Sequence, residues 1–159
     1  METLDIPWST TITIKNQLLA KFEKYGSPKE IDCIVAIKRG GVWLGKHFSE
    51  RFNIPIEYIH ISFRHNKFII PKKYKDLTNK NILVVDDIYD SGKTIDYIKN
   101  NIECKSLSAA FLLTKNIRIL PYMWGATARP DLWVNFPWEN KLESPKKLLD
   151  FVRYNYLVK

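Results

Sequence analysis

Cysteine is scarce in this chain: Cys33 and Cys104 are the only two among 159 residues. They stand far apart and outside any Cys-x-x-Cys or Cys/His spacing. That excludes a disulfide framework and a zinc finger and leaves both to be read as small buried hydrophobes. Long apolar runs are missing as well. Stretches such as Ile82 to Val85 fall far short of the roughly 20 residues that cross a bilayer. Asp5 also stands where a signal peptide needs its apolar stretch. No membrane partner is expected, and the expected location is cytoplasmic. Internal repeats, low-complexity tracts and Gly/Ser linkers are lacking too, so a single domain over 1–159 is the natural reading.

What is present in quantity is apolar and basic. A 45% hydrophobic and 13% aromatic composition supplies a core. The formal charge of +8 draws phosphates, whether on nucleic acid, membrane or a small metabolite. The basic residues cluster: Arg64, Lys67, Lys72, Lys73, Lys75 and Lys80 face the single acid Asp76. A nucleic-acid partner would want charges along one face with interleaved aromatics, so this one-loop cluster argues against it.

The segments alternate in type. Ile14 to Tyr25 carries Leu18, Leu19, Phe22 and Tyr25 on one helical face and stops at Gly26. Ile31 to Ile37 reads as a strand, followed by Gly40-Gly41 and a helix with Leu44, Phe48 and Phe52 every four residues. Ile56 to Ser62 alternates like a strand, and Ile82 to Val85, apolar on both faces, suits the middle of a parallel sheet. Thr94 to Ile102 reads as a helix, Leu107 to Leu113 and Leu132 to Phe136 as strands. Ser144-Pro145 opens a final helix bearing Leu148, Leu149, Val152 and Tyr156. This order predicts an α/β fold: a doubly wound, mainly parallel sheet flanked by helices, with ligands at the carboxyl ends of its strands.

The chemistry concentrates in Asn81 to Thr94, NILVVDDIYDSGKT, where two adjacent acids end a buried strand and a small-residue loop enters a helix. Ionised carboxylates at such an edge need solvent, hydroxyl donors or a cation. The turn from Asp90 to Thr94 offers successive backbone N–H groups, a helix N-terminus and the hydroxyls of Ser91 and Thr94 to one anion. Gly92-Lys93-Thr94 is not the end of an NTP-binding P-loop, because the position five before Gly92 is Asp87 rather than glycine.

The block from Leu83 to Thr94 resembles the PRPP-binding signature of type I phosphoribosyltransferases, PRPP being 5-phosphoribosyl 1-pyrophosphate. The resemblance implies that Asp86 and Asp87 hold the ribose hydroxyls and Mg²⁺, partly through water. It further implies that Asp90, Ser91, Gly92, Lys93 and Thr94 hold the 5′-phosphate, and that Asp90 is the acid beside the purine N7. Lys38-Arg39-Gly40-Gly41 is similar to the family's pyrophosphate loop, which makes the Lys38–Arg39 bond a candidate non-proline cis peptide. The region 62–80 is similar to its flexible hood, with Arg64 and Lys67 the candidate pyrophosphate contacts; Lys72 and Lys73 are the alternatives.

The C-terminal third, about 115–140, resembles the xanthine-guanine and hypoxanthine branch through Lys115 and Trp133-Val134-Asn135-Phe136-Pro137-Trp138-Glu139. Ile6-Pro7-Trp8 extends the likeness to the start of the chain. The resemblance implies that Lys115 donates to the purine 6-oxo oxygen, that Trp133 stacks on the base, and that the backbone at Val134 reads its far edge. Lysine carries donors and no acceptor, so guanine, hypoxanthine and xanthine are expected over adenine. Asn135 and Phe136 stand where relatives carry other residues, so the choice among the three stays open. The implied function is purine salvage. The rivals are a PRPP- or purine-sensing regulator with the same pocket and a phosphoribosyltransferase for another base. A homodimer or homotetramer is expected from aromatics taken as exposed, namely Tyr122, Trp124, Tyr154 and Tyr156, and from the habit of relatives.

Overall fold

The computed structural model describes residues 1–64, 67–69, 74–116 and 122–139. Its centre is a five-stranded parallel sheet of β2 (Cys33–Lys38), β3 (Ile56–His60), β6 (Asn81–Tyr89), β7 (Ser106–Thr114) and β8 (Met123–Thr127). The strand order is β3-β2-β6-β7-β8, so the chain starts near the middle, steps one way and then returns to continue the other way. That reversal leaves a crevice between the carboxyl ends of β2 and β6, the place where this architecture binds ligands. Two short strands, β1 (Thr3–Asp5) and β9 (Trp133–Asn135), pair in parallel at one side. A small antiparallel hairpin, β4 (Ser62–Arg64) with β5 (Lys67–Ile69), lies within the stretch read from the sequence as a hood loop.

Helices cover both faces, as the apolar character of β2 and β6 requires. On one face α1 (Trp8–Tyr25) and α2 (Gly41–Phe52) bury Leu18, Phe22, Leu44 and Phe48 against Ile34, Leu83 and Val85. On the other, α3 (Lys93–Asn101) buries Ile95 and Ile98 against Val35, Ile82 and Val84. Among the described residues no helix is long and apolar enough to cross a membrane.

Among the described residues the expected elements are present, with several differences. Helix α1 begins at Trp8, six residues before the periodicity shows. Its first turns carry Ser9, Thr10, Thr11 and Thr13, but the Thr11 hydroxyl donates to the Pro7 carbonyl at 3.0 Å, which lets this threonine be buried. The central strand does not end at its acids: β6 runs through Asp86 and Asp87 to Tyr89. Strand β8 has no counterpart in the sequence reading, since Met-Trp-Gly-Ala-Thr neither alternates nor clusters β-branched residues. It forms because Gly125 lets α1 cross close; a Cβ there would strike the Ile14 side chain and meet the Leu112 carbonyl oxygen at 2.9 Å. Cys33 is buried as expected, whereas Cys104 is only half-buried. Tyr122 and Trp124, expected to be exposed, are also half-buried: Tyr122 packs on Phe111, and the Lys21 ammonium sits 4.5 Å over the Trp124 ring. The final helix expected after Ser144, with Tyr154 and Tyr156, lies outside the described residues.

Candidate active site

One side of the crevice is built by the end of β2. The Lys38–Arg39 peptide is cis, as the sequence suggested. Gly40 and Gly41 then carry the chain into α2 against the end of β6. A Cβ on Gly40 would run into the Asp87 carboxylate, and one on Gly41 into the Val85 carbonyl oxygen. Glycine is needed at both positions because of what lies opposite rather than for an unusual φ.

The other side is β6 beyond Val85. Its pairing with β2 ends at Ala36↔Val85, while pairing with β7 continues to Tyr89↔Thr114. The side-chain alternation shifts phase here. Val85 and Ile88 face the α1/α2 layer, and Val84 and Tyr89 face α3, although strict alternation would place Val85 and Tyr89 on the same side. The shift falls at Asp86–Asp87, where the Asp87 N–H donates to Asp86 Oδ1 at 2.9 Å. Burial, and then the neighbouring Asp87 charge, push the Asp86 carboxyl well above its ordinary value. Burial, and then the charge of Glu139, push Asp87 up to about 6. Two carboxyls held in this way have a strong demand for a cation or for hydroxyl donors.

Next comes the loop. Gly92 adopts φ +81°, and α3 begins at Lys93, with the Asp96 N–H returning to the Gly92 carbonyl at 3.0 Å. Ser91, Gly92, Lys93 and Thr94 line the same concavity of about 200 Å³ as Asp86 and Asp87. The sequence-predicted cradle and acid pair are therefore one continuous surface.

Asp90 lines the same concavity and also meets a lysine just after the end of β7. Its Oδ2 lies 3.5 Å from Lys115 Nζ, with the lysine side chain 10% exposed and the aspartate 64%. Lys115 is set by the Tyr89 carbonyl, which accepts its backbone N–H at 2.8 Å. The adjoining segment is fixed by the Ala128 N–H, which donates to the Thr114 carbonyl at 2.9 Å. Trp133 is 58% exposed between buried Leu132 and Val134, and its Nε1–H donates to Asn135 Oδ1 at 2.9 Å. An indole displayed by two buried neighbours is free to offer a face to a ligand.

For the hood, Arg64 stands opposite Lys67 at the end of the β4–β5 pairing. Lys72 and Lys73 fall outside the described residues. Sequence reasoning assigned no role to Lys46, Trp43 or Glu139. These line, with Arg39, Gly40 and Trp138, a hollow of about 580 Å³ next to the pyrophosphate-type loop. Glu139 also accepts the Phe136 N–H at 3.1 Å, closing the turn after β9. The only available signal was the spacing of Lys46 along α2 from Arg39.

The donor set suits Mg²⁺, a hard cation that takes one or two carboxylates and otherwise keeps water and substrate phosphates. Asp86 and Asp87 supply such oxygens, and among the described residues no group of three or more His, Cys, Asp or Glu forms a complete protein cage.

Comparison with known proteins bears on the family and the fold. The family model for the phosphoribosyl transferase domain matches residues 12–143. The fold is similar to that of a purine phosphoribosyltransferase from Pyrococcus horikoshii, with TM-score 0.74 and 24% identity over 91% of this chain and 99% of that one. It is similar to the xanthine-guanine-hypoxanthine phosphoribosyltransferase of Helicobacter pylori, with TM-score 0.66 and 22% identity over 94% and 99%. It is also similar to a hypothetical protein of Neisseria gonorrhoeae with bound ppGpp, with TM-score 0.67 and 20% identity over 99% and 98%. No curated protein matches the sequence.

Proposed function

Because this chain belongs to the phosphoribosyl transferase domain family, we propose that it transfers the phosphoribosyl group of PRPP to N9 of a 6-oxopurine in purine salvage. Pyrophosphate leaves, and a nucleoside 5′-monophosphate results. The observation that carries the choice of base is the Asp90–Lys115 pair, an acceptor and a donor 3.5 Å apart at the mouth of the cradle. A 6-oxopurine reacting at N9 presents a matching edge: an N7–H for the carboxylate and, beside it, an oxo oxygen for the ammonium. Adenine would set its amino donors against the three donors of lysine.

In this reading the loop from Asp90 to Thr94 grips the 5′-phosphate with backbone N–H groups and hydroxyls, and Asp86 and Asp87 take the ribose hydroxyls. Lys38, Arg39 and Gly40 receive the pyrophosphate, with Arg39 as a fixed cation for the charge that grows as it leaves. When bound at Asp86 and Asp87, Mg²⁺ supplies Lewis-acid neutralisation of the pyrophosphate oxygens. The carboxylates beneath the ring favour the positive charge that develops on the ribose. Asp90 accepts or holds the N7 proton while N9 attacks the ribose C1. Trp133 covers one face of the base, and the backbone at Val134 reads its far edge. The hood, with Arg64 and Lys67, closes over the reactants and excludes water.

A spectrophotometric assay with PRPP, Mg²⁺ and each of guanine, hypoxanthine, xanthine and adenine tests this. Turnover of an oxopurine and none of adenine is expected. Adenine turnover would overturn the base assignment. No turnover with any base, while PRPP still binds in calorimetry, would turn the reading toward a sensor.

A further inference from the structure

Tyr89 lies between the acid pair and the phosphate-type loop and has had no part in the mechanism. It is the last residue of β6 and 7% exposed. Its backbone carbonyl accepts the Lys115 N–H at 2.8 Å and lies 3.4 Å from the Thr114 hydroxyl. The phase shift at Asp86–Asp87 turns its ring to the α3 side, beneath Gly92. A Cβ on Gly92 would come within 2.6 Å of the Tyr89 hydroxyl oxygen and 3.2 Å of Cζ. Phe111, with ring centroids 5.1 Å apart, and Tyr122, at 5.9 Å, hem the ring in, so it cannot swing clear cheaply.

We propose that Tyr89 is a positioning residue that sets the phosphate loop and the base lysine at a fixed separation, its ring supporting Gly92 and its carbonyl tethering Lys115. The inference rests on the reading of Asp90–Thr94 as the 5′-phosphate cradle. It adds that one residue ties the phosphate end of the site to the base end. A tyrosine that merely fills the core would lower the melting temperature when truncated, yet would leave the KM for PRPP unchanged.

The experiment compares the parent, Tyr89→Phe, Gly92→Ala and the double variant by PRPP calorimetry with Mg²⁺ and by steady-state kinetics. Gly92→Ala in the parent is expected to weaken PRPP binding about tenfold, because the new methyl drives against the hydroxyl. In the Tyr89→Phe background, where that oxygen is gone, the same change weakens binding only about threefold, the residue of the positive-φ strain. Equal losses in both backgrounds overturn the proposal. Tyr89→Leu, which removes the ring without touching Gly92, is expected to raise the KM for PRPP about fivefold with the KM for the base unchanged. Both KM values moving together, or neither moving, also overturns it. If the parent binds no PRPP, the cradle reading itself falls and takes this inference with it, an outcome distinct from binding without coupling.

Discussion

Lys115 and Asp90 meet at 3.5 Å with opposite surroundings, the lysine almost enclosed and the aspartate open to solvent. An enclosed lysine amine partnered by one exposed carboxylate retains further donors for a ligand. Lys115→Ala is therefore expected to lower kcat/KM for oxopurines by about 10–100-fold, the loss of one charged hydrogen bond. Asp90→Asn is expected to lower it by about 10²–10⁴-fold through loss of the proton acceptor. Calorimetry with PRPP alone should separate the two, since Lys115→Ala leaves that binding intact.

Asp87 carries a pH signature. Its carboxyl is raised from 3.8 to about 6 in the fold, so the folded protein binds this proton more tightly than the unfolded chain. The resulting stabilisation is complete below about pH 4 and is lost as pH rises through about 6. Asp87→Asn should therefore stabilise the ligand-free protein by about 1 kcal/mol at pH 7.5 and give no gain at pH 4. Urea melts at the two values check this; equal shifts at both would contradict it.

Gly40 and Gly41 adjoin in sequence but face different atoms, so their alanine variants should fail differently. At Gly40 the new methyl meets the Asp87 side chain, which can turn away from its place in the crevice. At Gly41 it meets the backbone of Val85, which cannot. Gly40→Ala is expected to lose Mg²⁺-dependent PRPP binding with a small change in melting temperature. Gly41→Ala is expected to lose about 2–4 kcal/mol of stability. Calorimetry and thermal melts on both variants decide the matter.

Two aromatics give a control pair. Phe48 is fully buried with its ring edge-on to Phe22, and its replacement by alanine should remove about 3–5 kcal/mol of stability. Trp133 is 58% exposed, so Trp133→Ala should change stability by about 0.5 kcal/mol or less while raising the KM for the base. A large loss of stability at Trp133 would show that its face is structural and not offered to a ligand.

What the sequence determined by itself was local chemistry and element type. Ile82–Val85 read as an interior strand, and the two acids with the small-residue loop after them read as one candidate phosphate-type site. Lys38-Arg39-Gly40-Gly41 and Lys115 stood out only through the family resemblance of the motifs around them, since a lone basic residue carries no such signal. What only the tertiary structure decided was which distant residues meet. Glu139 acts on Asp87, Gly40 accommodates a carboxylate rather than a turn, and Gly125 lets α1 seat a strand that no periodicity announces. The phase shift at Asp86–Asp87 belongs with these, since it depends on β6 losing one partner strand while keeping the other. The physical reason is common to all of them: periodicity records which face of an element is apolar, whereas crossings and register set what stands opposite, and these are properties of the packed whole.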